Sequence, residues 1–432
     1  MIPVMIEAFD GFTNPVAGLG AASPLTSSGS FERSGLEFDF SRLMSAYEED
    51  SVAKRIIDLV SEEMTRAWYA LQADVEEEDL RTLKKLESKH GIRRELTDAI
   101  RWARLFGGSI AIMIIEGDEE RMEEPLDPDR IPFGSFKGLL VMDRTQGINP
   151  SIELEDDLND PEYGLPKYYD VDLDEGTGKA RSVRIHHSRV LRFTGRELPN
   201  TEMKRNNYWG VSELQHIWDE LIRYENTVAN IERLTFSANL MTLKMGNMGS
   251  DLAYGSERMK ENVKQTLHHE NEIRTSYGVH VMSQGDSLET HPYNFAGLVE
   301  IKESMMMDIA GAAEIPATRL FGRSPQGMNA TGESDQRNFC DTIAQQQERM
   351  LRPALEKLLP VMAASCWGYV PGEMEIVFNP LMTMTPRERA ELSKADMAEI
   401  TEAISLGLIT AEEGKAELKA RGAILGTWGS IH

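Results

Sequence analysis

Cysteine is nearly absent: Cys340 and Cys366 are the two in 432 residues. Two thiols cannot build a disulfide framework or, unaided, a zinc site. They read as buried or half-buried thiols in a reducing cytoplasm. Long apolar runs are missing too. None approaches the ~18 to 20 residues that span a bilayer. The opening MIPVMIEAFDGFTNP has an acidic front and no apolar stretch, so it does not read as a secretory signal. Positive charge is in deficit, with 46 Lys and Arg against 71 Asp and Glu and a net charge of -25. A protein that grips phosphates is usually basic, and this chain is the reverse. Net charge alone leaves two readings open: a solvated acidic coat, or a surface that passes nucleic acid without holding it. Catalytic signatures are also lacking. There is no P-loop, nucleophile elbow, HExxH or convincing carboxylate pair.

What is present is a mainly helical α+β pattern on a 41% hydrophobic background, enough for two or three domains. Residues 1–41, with GLGAASPLTSSGS, lack any period and read as a flexible arm. Leu43, Tyr47, Ile56, Leu59, Val60 and Met64 recur at helical spacing, predicting helix over 42–71. Further helices are predicted over 77–89 and 93–106, the latter stopped by Gly107-Gly108. Ser109 to Ile115 reads as a buried strand, followed by GLLVMDR, KYYDVDL and RSVRIHHSRVLRF as strands, with DEGTGKA as a hairpin turn.

From Leu214 the pattern changes. Leu214, Leu221 and Val228 alternate with Ile217, Tyr224 and Ile231 in a heptad stripe, predicting a long helix that packs on a neighbour. An insert follows, with strands at LMTLKM, GVHVMS and LETHPY and a polar helix over 256–270. Leu298, Ile301, Met305 and Ile309 stripe the next helix, which Pro316 limits. The stretch IPATRLFGRSPQGMNATG has no period. A third long helix starts near Glu333, with Pro353 predicting a kink. Short helices close the chain, with Thr385-Pro386 as a start and Gly407 and Gly422 as stops.

Three groups invite chemistry. Asp170, Asp172 and Asp174 alternate as in a calcium loop, but Glu175 and Arg181 stand where that loop needs Gly and Glu. A solvated hairpin is the expected reading. His186-His187 and His268-His269 are adjacent pairs whose side chains should diverge, on a strand or a helix, so surface or edge histidines are expected rather than metal ligands. Gly322 to Gly332 lacks the Gly-Lys-Ser/Thr ending of a phosphate cradle. Neither a cofactor nor a bound metal is expected.

The stretch IAGAAEIPATRLFGRSPQGMNATGESDQRNFCDTIAQQQERMLRPALEKLL resembles the most characteristic part of bacteriophage portal proteins. AYEEDSVAKRIIDLVSEEMTRAWYAL and FTGRELPN…YWGVSELQHIWDELIRYENTVANI are similar to that family as well. The resemblance implies a portal-type fold: wing over 42–211, stem helices over 212–239 and 296–315, clip over 240–295, and tunnel loop over 316–332. The tunnel helix and its return to the wing would take 333–384, and a helical crown 385–432. It implies a homo-oligomeric ring, a dodecamer, at the virion's capsid vertex, assembled in the host cytoplasm. Double-stranded DNA would pass through it in packaging and ejection. Its partners would be the terminase large subunit, the major capsid and scaffold proteins and a head-tail adaptor, with no membrane.

On that resemblance Arg319 and Arg323, with Gln326, Asn329 and Thr331, are candidates for sequence-independent phosphate contact. The alternative is that the two arginines pair with carboxylates between subunits. Lys260 and Lys264 of the clip face DNA, a motor or adaptor partner, or simply water. No enzyme is expected. The other classes considered are a metal-dependent nucleic-acid-processing enzyme using Asp172 or Asp174, and a passive head-tail adaptor ring.

Overall fold

A computed structural model describes residues 39–174, 180–237, 241–244, 256, 258, 261, 287–290, 297–322, 332–382, 386–407 and 410–420. The chain divides into two compact units, one within His216–Ala317 and one built from Gly35–Gln215 with Thr318–His432. No helix of the described residues is long and apolar enough to cross a membrane.

In the larger unit the helix expected over 42–71 is two helices, α1 (Phe40–Glu49) and α2 (Ser51–Arg66). Asp50 separates them. Its backbone is extended, and its carboxylate accepts from the Val52 N–H at 2.7 Å, capping α2. Beyond α2, Trp68 takes a φ of 60°, and Tyr69–Ala73 leaves the helical path as strand β1. It pairs antiparallel with the distant segment Met374–Phe378. Helical spacing up to Leu71 misread this strand because its partner lies at the far end of the sequence. Helices α3 (Glu77–His90) and α4 (Ile92–Phe106) fall where expected, closed by left-handed Gly91 and Gly107.

Strand β2 (Gly108–Ile115) is the centre of a sheet flanked by β3 (Phe136–Asp143) and β7 (Val190–Thr194). A second antiparallel sheet holds β4 (Ile148–Pro150), β5 (Tyr168–Asp174) and β6 (Ala180–His186). Ile110, Ile112, Met142, Tyr169, Val171, Ile185 and Trp209 from these strands and the following loop form one buried cluster. On the opposite face of β2, Ser109 Oγ donates to the Ala99 carbonyl of α4 at 2.6 Å. Both faces of β2 are therefore covered, which is why it reads as an unbroken apolar run. RSVRIHHSRVLRF is not one strand. It is β6 and β7, in different sheets, joined by a 3₁₀ turn over His187–Arg189.

Helix α5 (Asn200–Arg205) follows, and the first heptad helix is broken at Ile217 into α6 (Glu213–His216) and α7 (Trp218–Ser237). In the smaller unit β8 (Met241–Lys244) pairs with β9 (Ser287–Thr290), and α8 (Leu298–Ala312) packs on α7. Thr227 Oγ1 there lies 3.1 Å from Met305 Sδ. In the larger unit the stretch expected to be aperiodic contains a short helix, α9 (Ala317–Phe321), ended by Gly322 at φ 69°. After it come α10 (Gly332–Gln346), α11 (Arg352–Trp367), β10 (Met374–Phe378), α12 (Pro386–Ser405) and α13 (Ala411–Ala420). Between α10 and α11 lies a π-helical turn, Gln347–Leu351. That turn places Pro353 in the first turn of α11, where its missing N–H costs little. Pro360 is the proline inside α11.

Candidate functional site

Of the loop expected over 316–332, residues 323–331 lie outside the described residues, and with them Arg323, Gln326, Asn329 and Thr331. Lys260, Lys264, His268, His269 and Gly422 also lie outside them. The two flanks of the stretch are described, and both are fastened to α2. On the N-terminal flank the Arg319 guanidinium pairs with Glu63 of α2, and the Arg319 carbonyl accepts from Arg55 Nε at 2.8 Å. Glu63, almost fully buried, is shared with Arg66 at 2.8 Å. The Arg319 guanidinium also lies 6.0 Å from the Phe339 ring centre, on the C-terminal flank. Further on, the buried Gln347 of the π turn donates to the Met64 carbonyl at 2.6 Å. A π turn is what puts this side chain onto the last turn of α2, which would otherwise leave a carbonyl unsatisfied. Arg319 is thus bound within its own chain by an ion pair, a backbone bond and an aromatic face, an arrangement that anchors the root of the stretch.

Of the positions on the two helix stripes, Leu214, Ile217, Leu221, Tyr224 and Ile309 are buried. Val228, Ile231, Leu298 and Met305 are half-buried. Ile301, also on the stripe, is 49% exposed. Of the alternating acids, Asp170 makes a two-pronged pair with Arg184 across the β5–β6 ladder, at 2.8 and 3.2 Å. Asp172 is exposed, and the Asp174 side chain lies outside the described residues.

The histidine pair needs correction. His186 and His187 are not surface residues; they are 4% and 3% exposed, with ring centres 4.3 Å apart. The divergence rule fails because β6 ends at His186, which caps the 3₁₀ turn, so His187 is already off the strand. His186 Nδ1 meets the Ser188 N–H at 3.2 Å and its hydroxyl at 2.9 Å. His187 Nδ1 lies 2.9 Å from Glu162 Oε2, and its Nε2 3.2 Å from Glu155 Oε2 and 3.8 Å from Asp160 Oδ2. Lys357 of α11 donates to Glu162 Oε1 at 2.7 Å and to the carbonyls of His187 and Val190 at 2.9 and 3.1 Å. Sequence spacing could not show this centre, because its acids come from an aperiodic loop and its lysine from a helix far along the chain.

Burial would raise the Glu162 carboxyl, but the His187 hydrogen bond and the Lys357 ammonium outweigh it and hold it at about 2. Burial first, then the neighbouring His187, pushes His186 down from 6.5 to about 4. Both groups therefore take up protons more readily unfolded than folded. Stability should be complete above about pH 6.5, fall towards pH 4 as unfolded His186 charges, and fall again towards pH 2 through Glu162. Urea titrations across that range, made with chelator present, check this; a flat profile from pH 7 to 4 would contradict it.

Comparison with solved structures finds the same fold at low sequence identity. The chain superposes on a subunit from the neck of an empty gene transfer agent particle computed with C6 symmetry, with a TM-score of 0.54 and 15% identity, covering 88% of this chain and 94% of that one. A neck of the native particle computed with C12 symmetry gives 0.51 and 17% identity over 88% and 93%. The profile of the phage portal protein family matches residues 41–402, and the chain belongs to that family. Among related sequences, an anti-CBASS protein Acb1 of Caulobacter sp. (strain RHG1) is 29% identical over 90% of this chain. One of the same name from Sphingomonas paeninsulae is 27% identical over 91%. The chain spans 61% and 62% of the length of those two relatives. An uncharacterised Haemophilus influenzae protein is 26% identical, over 89% of this chain and 84% of its own.

Proposed function

We propose that this chain is the subunit of a ring of about twelve copies that conducts double-stranded DNA through a capsid vertex. The observation that carries the reading is the family match over residues 41–402. In this reading α7 and α8 are the stem, the β8–β9 insert is the clip, and 316–332 is the tunnel loop, anchored at its root by Arg319. The ring sits in the capsid shell, takes up the terminase motor during packaging and later a head-tail adaptor. Its work is mechanical: an acidic wall repels phosphates and keeps the duplex mobile.

Two features support this. Ile301, on the apolar stripe, is half exposed in a single chain, as a residue awaiting a neighbouring subunit would be. The net charge of -25 suits passage rather than capture. The anti-CBASS name belongs to relatives of whose length this chain spans 61% and 62%. That activity is therefore not carried over.

Native mass spectrometry and electron microscopy of the purified protein test the reading. A closed ring with an axial channel is the expected outcome; a stable monomer at high concentration would remove it. Within the ring, Arg323→Ala should leave assembly intact and slow packaging, whereas Arg319→Ala should loosen the loop root and lower the unfolding midpoint. Packaging at the normal rate by the first variant would take Arg323 out of the mechanism.

A further inference from the structure

The buried centre beneath the 151–166 loop contains more than an ion-pair network needs. Glu155, His186 and His187 are all under 7% exposed, and one ligand atom from each lies within 4.8 Å of the others. We propose that these three residues bind one divalent transition-metal ion of the zinc class, with Asp160 or a water closing the fourth position, and that the ion fastens the 151–166 loop to the end of β6.

Geometry carries this in three ways. Zinc with N and O ligands at about 2.0–2.2 Å sets neighbouring ligands of a tetrahedron roughly 3.3–3.6 Å apart. His187 Nε2 and Glu155 Oε2 are at 3.2 Å, and Asp160 Oδ2 is 3.8 Å from the same nitrogen. Next, the outer contacts orient the ligands. Ionised Glu162 can only accept, so at 2.9 Å it places a proton on His187 Nδ1 and turns the other nitrogen inward. Glu155 Oε1 accepts the N–H groups of Asp156 and Asp157, each at 3.0 Å, leaving Oε2 for the centre. His186 Nδ1 accepts the Ser188 N–H at 3.2 Å; metal binding through Nε2 would move the ring proton to Nδ1, where the Ser188 hydroxyl at 2.9 Å can accept it. Finally, a nitrogen lone pair and a carboxylate oxygen 3.2 Å apart repel unless they share a cation or a proton.

A proton on His187 is the rival occupant. Charge suits it: Glu155, Asp160 and Glu162 against Lys167 and Lys357 leave one negative charge. A proton, however, would serve His187 alone, whereas a metal would also use the ligand atom that His186 places within 4.8 Å of the other two. The metal would displace Lys167, whose ammonium lies 3.4 Å from Glu155 Oε2 on a side chain 30% exposed. Imidazole ligands favour zinc, cobalt or nickel over magnesium or calcium.

The experiment uses the whole protein, stripped with chelator and titrated with zinc, and separately with cobalt, in excess magnesium to saturate the acidic surface. The expected result is one zinc retained per chain through gel filtration, and a visible cobalt spectrum of tetrahedral type. His186→Gln and His187→Gln should each weaken binding about tenfold or more. Asp172→Asn, at an exposed carboxylate, should leave it unchanged. Failure of the folded wild-type protein to take up zinc saturably would overturn the site and leave the protonated imidazole. Unchanged affinity in a folded His186→Gln protein would overturn it equally. The wild-type titration needs no variant, so a variant that does not fold leaves the outcome decided.

Discussion

Gly195→Ala is expected to be among the most damaging single substitutions in the larger unit, lowering stability by about 3 kcal/mol or more. A methyl group there would sit 2.5 Å from the Val211 carbonyl oxygen, 2.6 Å from that of Ala103 and 2.8 Å from the Gly107 Cα. All three are backbone atoms, so no side chain can swing aside. Gly195 donates to the Gly107 carbonyl at 3.0 Å, and the next residue, Arg196, exchanges two 2.9 Å bonds with Val211. Making room would pull apart the end of β7, the cap of α4 and the segment leading into α6 together. The effect is steric and not conformational, because Gly195 is not among the glycines with positive φ. Gly372→Ala is the control: nothing lies within 4 Å of its added carbon and its φ is ordinary, so it should stay within about 0.5 kcal/mol of the parent. Urea unfolding of the two variants, side by side, separates crowding from a general intolerance of lost glycine. Equal midpoints would mean the backbone crossing relaxes at little cost.

That crossing shows where the sequence stopped being legible. Gly107-Gly108 stood out as a helix stop because its signal is local: an apolar helical stripe ending in two residues without Cβ. The same residues are also the place where the turn after β7 passes, and nothing near Gly195 in sequence announces it. The pattern recurs elsewhere. β2 was readable because both its faces are buried, whereas β1 was not, since its partner Met374–Phe378 comes from the other end of the chain. The heptad stripe is visible in Leu214, Leu221 and Tyr224, but the break at Ile217 is not. Pro353 was visible, and the π turn that moves it to a helix start was not, because that turn is selected by where Gln347 must reach. At the ionic centre the sequence shows the paired histidines but not the geometry that brings them together. Alternation along a strand separates neighbours only while the strand continues, and β6 ends at the first histidine.

Lys357→Met should cost about 2 to 4 kcal/mol and should loosen the 151–166 loop before the rest of the molecule. The ammonium's three protons are all used, on Glu162 Oε1 and on two carbonyls at the junction of the 3₁₀ turn with β7. Methionine fills similar volume but leaves the Glu162 carboxylate without its cation and both carbonyls without this donor. The lower end of the range applies if water reaches the gap, since both side chains keep roughly a quarter of their exposure. Arginine should not rescue, because its planar fork does not match three acceptors converging on one point. Adding Glu162→Gln to Lys357→Met should recover part of the loss by removing the stranded charge, a coupling that a double-mutant cycle reads directly. Hydrogen exchange should then quicken first at the Glu155, Leu165 and Lys167 amides, which tie the loop to itself at 2.8 to 2.9 Å. Uniform quickening across α11 and both sheets would instead make Lys357 a global strut and not the fastener of one loop.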